Sequence, residues 1–211
     1  LKYIMKICNF QLIYIFIPFL ENIVDIEASI RNVTESRSSI RKYKKEPVPR
    51  EMLEKIVNTE KNASFIDDDD AIHCTIVSNP EKVQYIAREV KRIGTEKIQA
   101  IDDESLRKNT LSYSSSFFWF GKAPALLALS CRKSPECIKF LNKRHPDDLF
   151  GARTESAMAA QNIMLAATAM GLGTCCLTGP LVAKSWLEAE LGCPDHHELV
   201  LLISVGFGIK D

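Results

Sequence analysis

The chain has 211 residues with 27 basic and 27 acidic side chains, so its formal net charge is zero, and it is 46% hydrophobic and 26% charged. These values exclude disordered and collagen-like classes. A chain this long can bury roughly 70% of the surface its unfolded form exposes, so it folds without disulfides or a structural metal. The absence of a basic excess also argues against a protein built to grip nucleic acid.

Residues 1–23 read as an apolar N-terminal extension and residues 24–211 as the folded domain. The run ending at Leu20 is interrupted by Lys6, Asn9, Gln11 and Pro18 and lacks a small-residue cleavage site, which argues against a signal peptide or membrane anchor. Leu1 and Val24 are what literal translation of the start codons TTG and GTG gives, so the natural protein is expected to begin at Val24, read as Met.

Ile26, Ile30 and Val33 recur at helical spacing and predict a first helix from Asp25 to about Thr34. A basic, hydroxyl-rich stretch follows, Ser36 to Lys45, without periodicity. Pro49 opens a helix with Met52, Leu53, Ile56 and Val57 on one face. The run Asp67 to Asp70 reads as a solvated turn. Strands are expected at Ala71 to Ser78, Pro124 to Cys131, Thr174 to Leu177 and Leu199 to Val205. Asn79-Pro80 starts a long helix with a stripe of Val83, Ile86, Val90, Ile93 and Ile101, and Asp102 to Ser116 reads as a polar, mixed loop. Ala152 to Met170 is small and apolar nearly all round, the pattern of a central, buried helix, closed by left-handed glycines in Gly171-Leu172-Gly173. Pro180 begins a last helix through Leu191.

Seven cysteines, an odd count with no C-x-x-C pair, fit neither a disulfide framework nor a zinc site and point to the reducing cytoplasm. Cys175 and Cys176 read as buried structural thiols. The histidines lack metal-ligand spacing, His196 and His197 reading as solvated surface, and no metal is assigned.

Three patches can carry chemistry. In Arg37-Ser38-Ser39-Ile40-Arg41, two guanidinium groups flank two hydroxyls, a combination suited to a phosphate monoester and otherwise a solvated basic loop. At Thr178-Gly179-Pro180 backbone N–H groups gather in a turn before a helix, where they can donate to a ring nitrogen or carbonyl, or merely end a strand. Phe117 to Phe120 can flank a planar ring or belong to the core.

Taken in order, these segments resemble the nitroreductase-like family of FMN-dependent oxidoreductases. The matching text is Asp25 through Tyr43, then EPVPREMLEKIV from Glu46 to Val57, then Lys122-Ala123-Pro124-Ala125-Leu126-Leu127, and above all Ser156 to Cys175, which looks like the family's A-x-Q-N-hydrophobic-LAA-x-x-GLGT helix and turn. The resemblance runs from about Val24 to Gly208. It implies an α+β three-layer sandwich, a central mainly antiparallel sheet flanked by helices, in a homodimer holding FMN at the subunit interface.

Carried over position by position, Arg37, Ser38, Ser39 and Arg41 would bind the FMN phosphate and ribityl chain, with the pyrimidine edge of the flavin as the alternative place for Arg41, and Thr178 and Gly179 would lie beside the isoalloxazine with the Gly179 N–H toward N5. The implied activity is reduction of nitroaromatic, quinone or similar small acceptors by NAD(P)H in ping-pong hydride transfer, with no protein general acid or base and no catalytic side chain named. Neither nucleic acid nor membrane is an expected partner. The sequence departs from the family where members carry P-S-x-x-N-x-Q-P-W: in Asn62 to Ala71 only Ser64 is readily matched, and it joins the cofactor set. Relatives also commonly continue beyond the last strand with a tail that embraces the partner, where this sequence has Lys210 and ends at Asp211. A member that has lost turnover and only binds flavin or a partner is the rival reading.

Overall fold

A computed structural model describes residues 26–63, 70–114, 118–133 and 150–209. The Asp67 to Asp69 part of the acidic run, Ser64 and the N-terminal extension lie outside the described residues. The chain divides into two compact units, Leu1–Arg37 and Ser38–Asp211. In the first, helix α1 spans residues 26–36; Arg31 pairs with Glu27, and the Thr34 and Ser36 hydroxyls donate back to the Ile30 and Asn32 carbonyls.

The second unit is built on a four-stranded sheet, every neighbouring pair antiparallel, in the order β1-β2-β4-β3. Its strands are β1 (Ile72–Val77), β2 (Ala125–Arg132), β3 (Gly173–Leu177) and β4 (His197–Gly206). β2 and β4 are central and almost wholly buried, so their residues divide between two cores by the period of two. Leu127, Leu129, Ile203 and Val205 meet α2 (Arg50–Val57) and a 20-residue helix, Phe150–Ala169, on one face. Leu126, Ala128 and Leu202 meet α3 (Pro80–Gln99) and the short Lys184–Glu190 helix on the other. Between α3 and those helices lies α4 (Glu104–Ser114), so the Phe150–Ala169 helix is α5 and Lys184–Glu190 is α6. The expected three-layer α+β architecture is the one observed. No helix among the described residues is long and apolar enough to cross a membrane.

Helix boundaries follow local chemistry. Pro49 sits at the N-cap of α2, and the Asn79 side chain accepts from the Glu81 and Lys82 N–H groups to start α3, with Pro80 in its first turn. Five expectations are corrected. The polar stretch expected as a loop after Asp102 is α4, because Asp103 caps it by accepting from the Leu106 N–H at 2.7 Å and Arg107 ties its first turn to the Ile101 carbonyl at 2.9 Å. The helix expected from Pro180 to Leu191 is a 3-10 turn, Gly179–Ala183, followed by α6.

α5 is not covered all round: Ala159, Ala160, Ile163, Met164 and Ala167 are buried against the sheet, but Ala157, Met158 and Gln161 are exposed. Of the two glycines expected to be left-handed, Gly171 is, with φ +77, whereas Gly173 is required for space. A Cβ there would fall 2.8 Å from the Ile40 side chain. Finally, of the adjacent pair, His197 is buried rather than solvated, while His196 is exposed as expected.

Candidate functional site

The segment after Ser38 runs as an added rung at one end of the sheet. Ser39 makes a parallel bridge to Thr174 at the start of β3, and Tyr43 an antiparallel bridge to Gly208 beyond β4. The Ile40 N–H donates to the Thr174 carbonyl at 2.9 Å, the Lys44 N–H to Phe207 at 2.9 Å, and the Ile209 N–H to Lys42 at 3.0 Å. Buried Tyr43 closes this rung: its hydroxyl donates to the Ile40 carbonyl at 2.6 Å and lies 2.9 Å from the Ser204 Oγ. Burial pushes the Tyr43 phenol above its ordinary value, so it remains a neutral donor. Arg41 is thereby fixed on both sides by backbone hydrogen bonds while its own side chain is exposed and forms no ion pair with a described residue.

Arg41 lines a cavity of about 340 Å³ together with Tyr113, Trp119 and the continuous stretch Cys175 to Pro180. That volume is at the lower end of the range for small-molecule sites, roughly 300–1,000 Å³. Trp119 is held by stacking on Tyr43, with ring centroids 6.5 Å apart and planes 19° from parallel. At the far wall the chain leaves β3 and turns into the 3-10 segment that begins at Gly179. As its first residue, Gly179 has no acceptor for its N–H inside the turn, while the Thr178 carbonyl accepts from Leu181 at 3.0 Å. The cavity thus combines a cation, an indole face and a free backbone donor, which suits a planar heteroaromatic ligand with an anionic substituent.

Of the residues singled out from sequence, Arg41, Thr178 and Gly179 are brought to this one cavity. Ser39 is anchored beside β3, Ser38 precedes it and is exposed, Arg37 is the last residue of the first unit, and Ser64 lies outside the described residues. Tyr113 is not singled out by the sequence, Trp119 belongs to the aromatic patch that reads as able to flank a planar ring, and Cys176 reads from sequence as a buried structural thiol. Phe120 of the aromatic cluster is core, fully buried, but its neighbour Trp119 faces the cavity. Cys176 is a correction: Cys175 is buried as expected, whereas Cys176 is exposed and lines the cavity. Desolvation of its sulfur, then the neighbouring Cys175, raises the Cys176 thiol, so it is not an activated nucleophile. A second hollow of about 250 Å³, lined by Lys44, Lys45 and Lys122 together with Glu81, has neither aromatic wall nor strand-end donors.

The model of the nitroreductase family matches residues 34–207. The chain belongs to the nitroreductase family. The family is one of oxidoreductases, and the match spans every residue that lines the cavity, from Arg41 through Tyr113 and Trp119 to Cys175–Pro180. Among curated proteins it is similar to YfhC of Bacillus subtilis (strain 168), whose name places it provisionally among NAD(P)H nitroreductases, at 24% identity over 180 residues, 84% of each chain. Among solved structures it is similar to a BluB-like flavoprotein from Clostridium difficile 630, with TM-score 0.74 and 21% identity over 86% of this chain and 90% of that one. It is also similar to a nitroreductase with bound FMN from Bacteroides fragilis NCTC 9343, with TM-score 0.62 and 21% identity over 85% and 88% of the two chains. At these identities the two structures establish the nitroreductase fold.

Proposed function

We propose that the protein is an FMN-dependent NAD(P)H oxidoreductase that reduces nitroaromatic, quinone or similar small acceptors, acting as a homodimer in the cytoplasm. The observation that carries this reading is the convergence of Arg41, Trp119, Thr178 and Gly179 on one cavity of about 340 Å³. The donor set fits FMN: the guanidinium matches the phosphate, the indole matches the ring, and the Gly179 N–H is a free donor for a ring nitrogen. When bound, FMN would supply the redox chemistry, the transfer of a hydride equivalent from the nicotinamide to the acceptor.

The chain's own residues bind and tune. Arg41 holds the phosphate end, joined on the resemblance alone by the Ser38 and Ser39 hydroxyls, and its position is secured by the Ile40, Tyr43 and Lys44 hydrogen bonds. The Gly179 N–H and the Thr178 turn present partial positive charge to the ring, which favours the electron-rich, reduced state. Trp119 supplies one wall and helps to keep water from the ring. Arg37 and Ser64 join the cofactor set on the resemblance alone. The uncovered apolar side of α5, with Met158 38% exposed, supports a second copy as its partner. The five described cysteines are all free thiols, in keeping with a reducing compartment.

The test is the purified protein itself. A yellow preparation with one FMN per chain, bleached anaerobically by NADH or NADPH and recoloured by a nitroaromatic or quinone, is expected. A colourless protein that takes up no added FMN would exclude both turnover and flavin binding, and a yellow protein that no nicotinamide bleaches would favour the non-catalytic rival.

A further inference from the structure

The start of β4 carries a group of side chains that the flavin reading does not use. Opposite Leu129, β4 pairs through Leu201, but opposite Ser130 it pairs through Leu199, so Val200 is an extra residue in a bulge. The bulge moves Leu199 and His197 onto the sheet face of Leu126 and Ala128, the face that also carries Ser130. His197 is buried there, with its side chain 0% exposed.

The Ser130 Oγ lies 3.3 Å from the His73 carbonyl and 3.3 Å from the His197 Nδ1, so the imidazole is held through Nδ1 and its other nitrogen is turned toward Asp70. The His197 Nε2 is buried and has no hydrogen-bond partner, and the Asp70 Oδ1 lies 3.4 Å from it. A buried nitrogen left unpaired is costly, and a cation between it and the carboxylate would satisfy both. The second oxygen of Asp70 is 2.9 Å from the His196 Nε2, and the His196 ring packs edge-on against His197 with centroids 4.7 Å apart.

We infer that Asp70, His196 and His197 form a binding site for one divalent transition-metal ion of the borderline class, such as Zn²⁺. Their candidate ligand atoms lie within 4.8 Å of one another. A tetrahedral ion at roughly 2.0–2.2 Å from each ligand separates them by about 3.4 Å; the Asp70 carboxylate faces His196 through Oδ2 at 2.9 Å and His197 through Oδ1 at 3.4 Å, so closing all three residues on one ion takes a small turn of the exposed Asp70 and His196 side chains. Two imidazoles with one carboxylate select such ions over Mg²⁺ and Ca²⁺, which take oxygen ligands. The Ser130 hydroxyl on Nδ1 is the outer partner that orients a ligating imidazole.

Asp70 and His196 are 55% and 58% exposed, so the ion would be reached from solvent and would keep a position for water. The ion would tie the residue leading into β1 to the strand two places away in the sheet. On β4, His197 lies five residues before Leu202, the partner of Leu177, roughly 17 Å along the strand from the end of β3 that opens into the flavin cavity. The site therefore does not depend on the flavin.

Calorimetric titration of the chelator-treated full chain with Zn²⁺ tests the inference. One ion per chain and a raised melting temperature are expected. Asp70→Asn and His196→Gln, both at exposed positions, should each weaken binding at least about 100-fold, and Ser130→Ala about tenfold. With Co²⁺ in place of Zn²⁺, the visible spectrum should show d–d bands without thiolate charge transfer. Absence of binding, undiminished affinity in the Asp70→Asn/His196→Gln double variant, or a thiolate band from the free cysteines would each overturn it.

Discussion

Arg41 illustrates how much a single residue's role depends on its neighbours. It lines the cavity because Ile40 and Lys44 are hydrogen-bonded to Thr174 and Phe207 on either side of it. Charge-assisted bonds to a phosphate are worth about 1.5–3 kcal/mol each, so Arg41→Ala should weaken FMN binding by about 10- to 150-fold, as read by fluorescence titration of flavin-free protein. Unchanged affinity in Arg41→Ala combined with Arg37→Ala would refute the phosphate assignment.

A second residue carries a pH dependence. Burial pushes the Glu60 carboxyl to about 7 from an ordinary 4.5, and its Oε2 has no hydrogen-bond partner. Between those two values the folded state keeps a proton that the unfolded chain has lost. Stability from this group is thus full below about pH 4.5, falls as pH rises toward 7 and is level above, a change on the order of 2 kcal/mol. Denaturant unfolding across this range should show the decline for the wild type and a flatter profile for Glu60→Gln; parallel profiles would contradict it. At this scale the site was only partly legible. Arg41, Thr178 and Gly179 stand in short patches whose residue types declare their chemistry, and Trp119 in an aromatic patch that left flank and core both open, whereas Tyr113 and Cys176 meet them only through the tertiary fold.

At the scale of elements, hydrophobic periodicity located the four strands and the long helices to within a few residues, because burial on a sheet face or helix stripe is what fixes them. α4 escaped because its stability does not come from an apolar face: Leu106 and Leu111 are 56% and 54% exposed, and a capping aspartate and the Arg107 tether hold it. The bulge at Val200 was equally invisible, since a continuous run from Leu199 to Val205 reads the same with or without an extra residue. Elements also explain Gly173. A methyl group there meets the stiff, β-branched Ile40, so Gly173→Ala should cost about 1–3 kcal/mol in unfolding free energy and also loosen FMN by displacing the Arg41 segment. Trimming Ile40 to alanine in the same chain should restore part of both. Equal stability of Gly173→Ala and the wild type would show that the close approach is absent.

For the whole molecule, zero net charge conceals a separation: the basic run from Arg41 to Lys45 lies at the cavity end of the sheet, while Asp70 is engaged by His196 and His197 at the start of β4. The composition of α5, apolar nearly all round, predicted complete burial, and within one chain one side remains uncovered because the covering surface belongs to a second copy in our reading. Met158→Glu should therefore shift the protein from dimer to monomer in sedimentation and release FMN with it; a monomeric wild type would contradict the dimer.

The measurement that bears most directly on the central claim is the anaerobic visible spectrum of the purified protein during addition of NADH or NADPH. The flavin account predicts an oxidised FMN spectrum that bleaches with one equivalent of reductant per chain and returns when a quinone or nitroaromatic is added. A protein without flavin that gains none when FMN is supplied, or a flavin that neither nucleotide reduces, would contradict it.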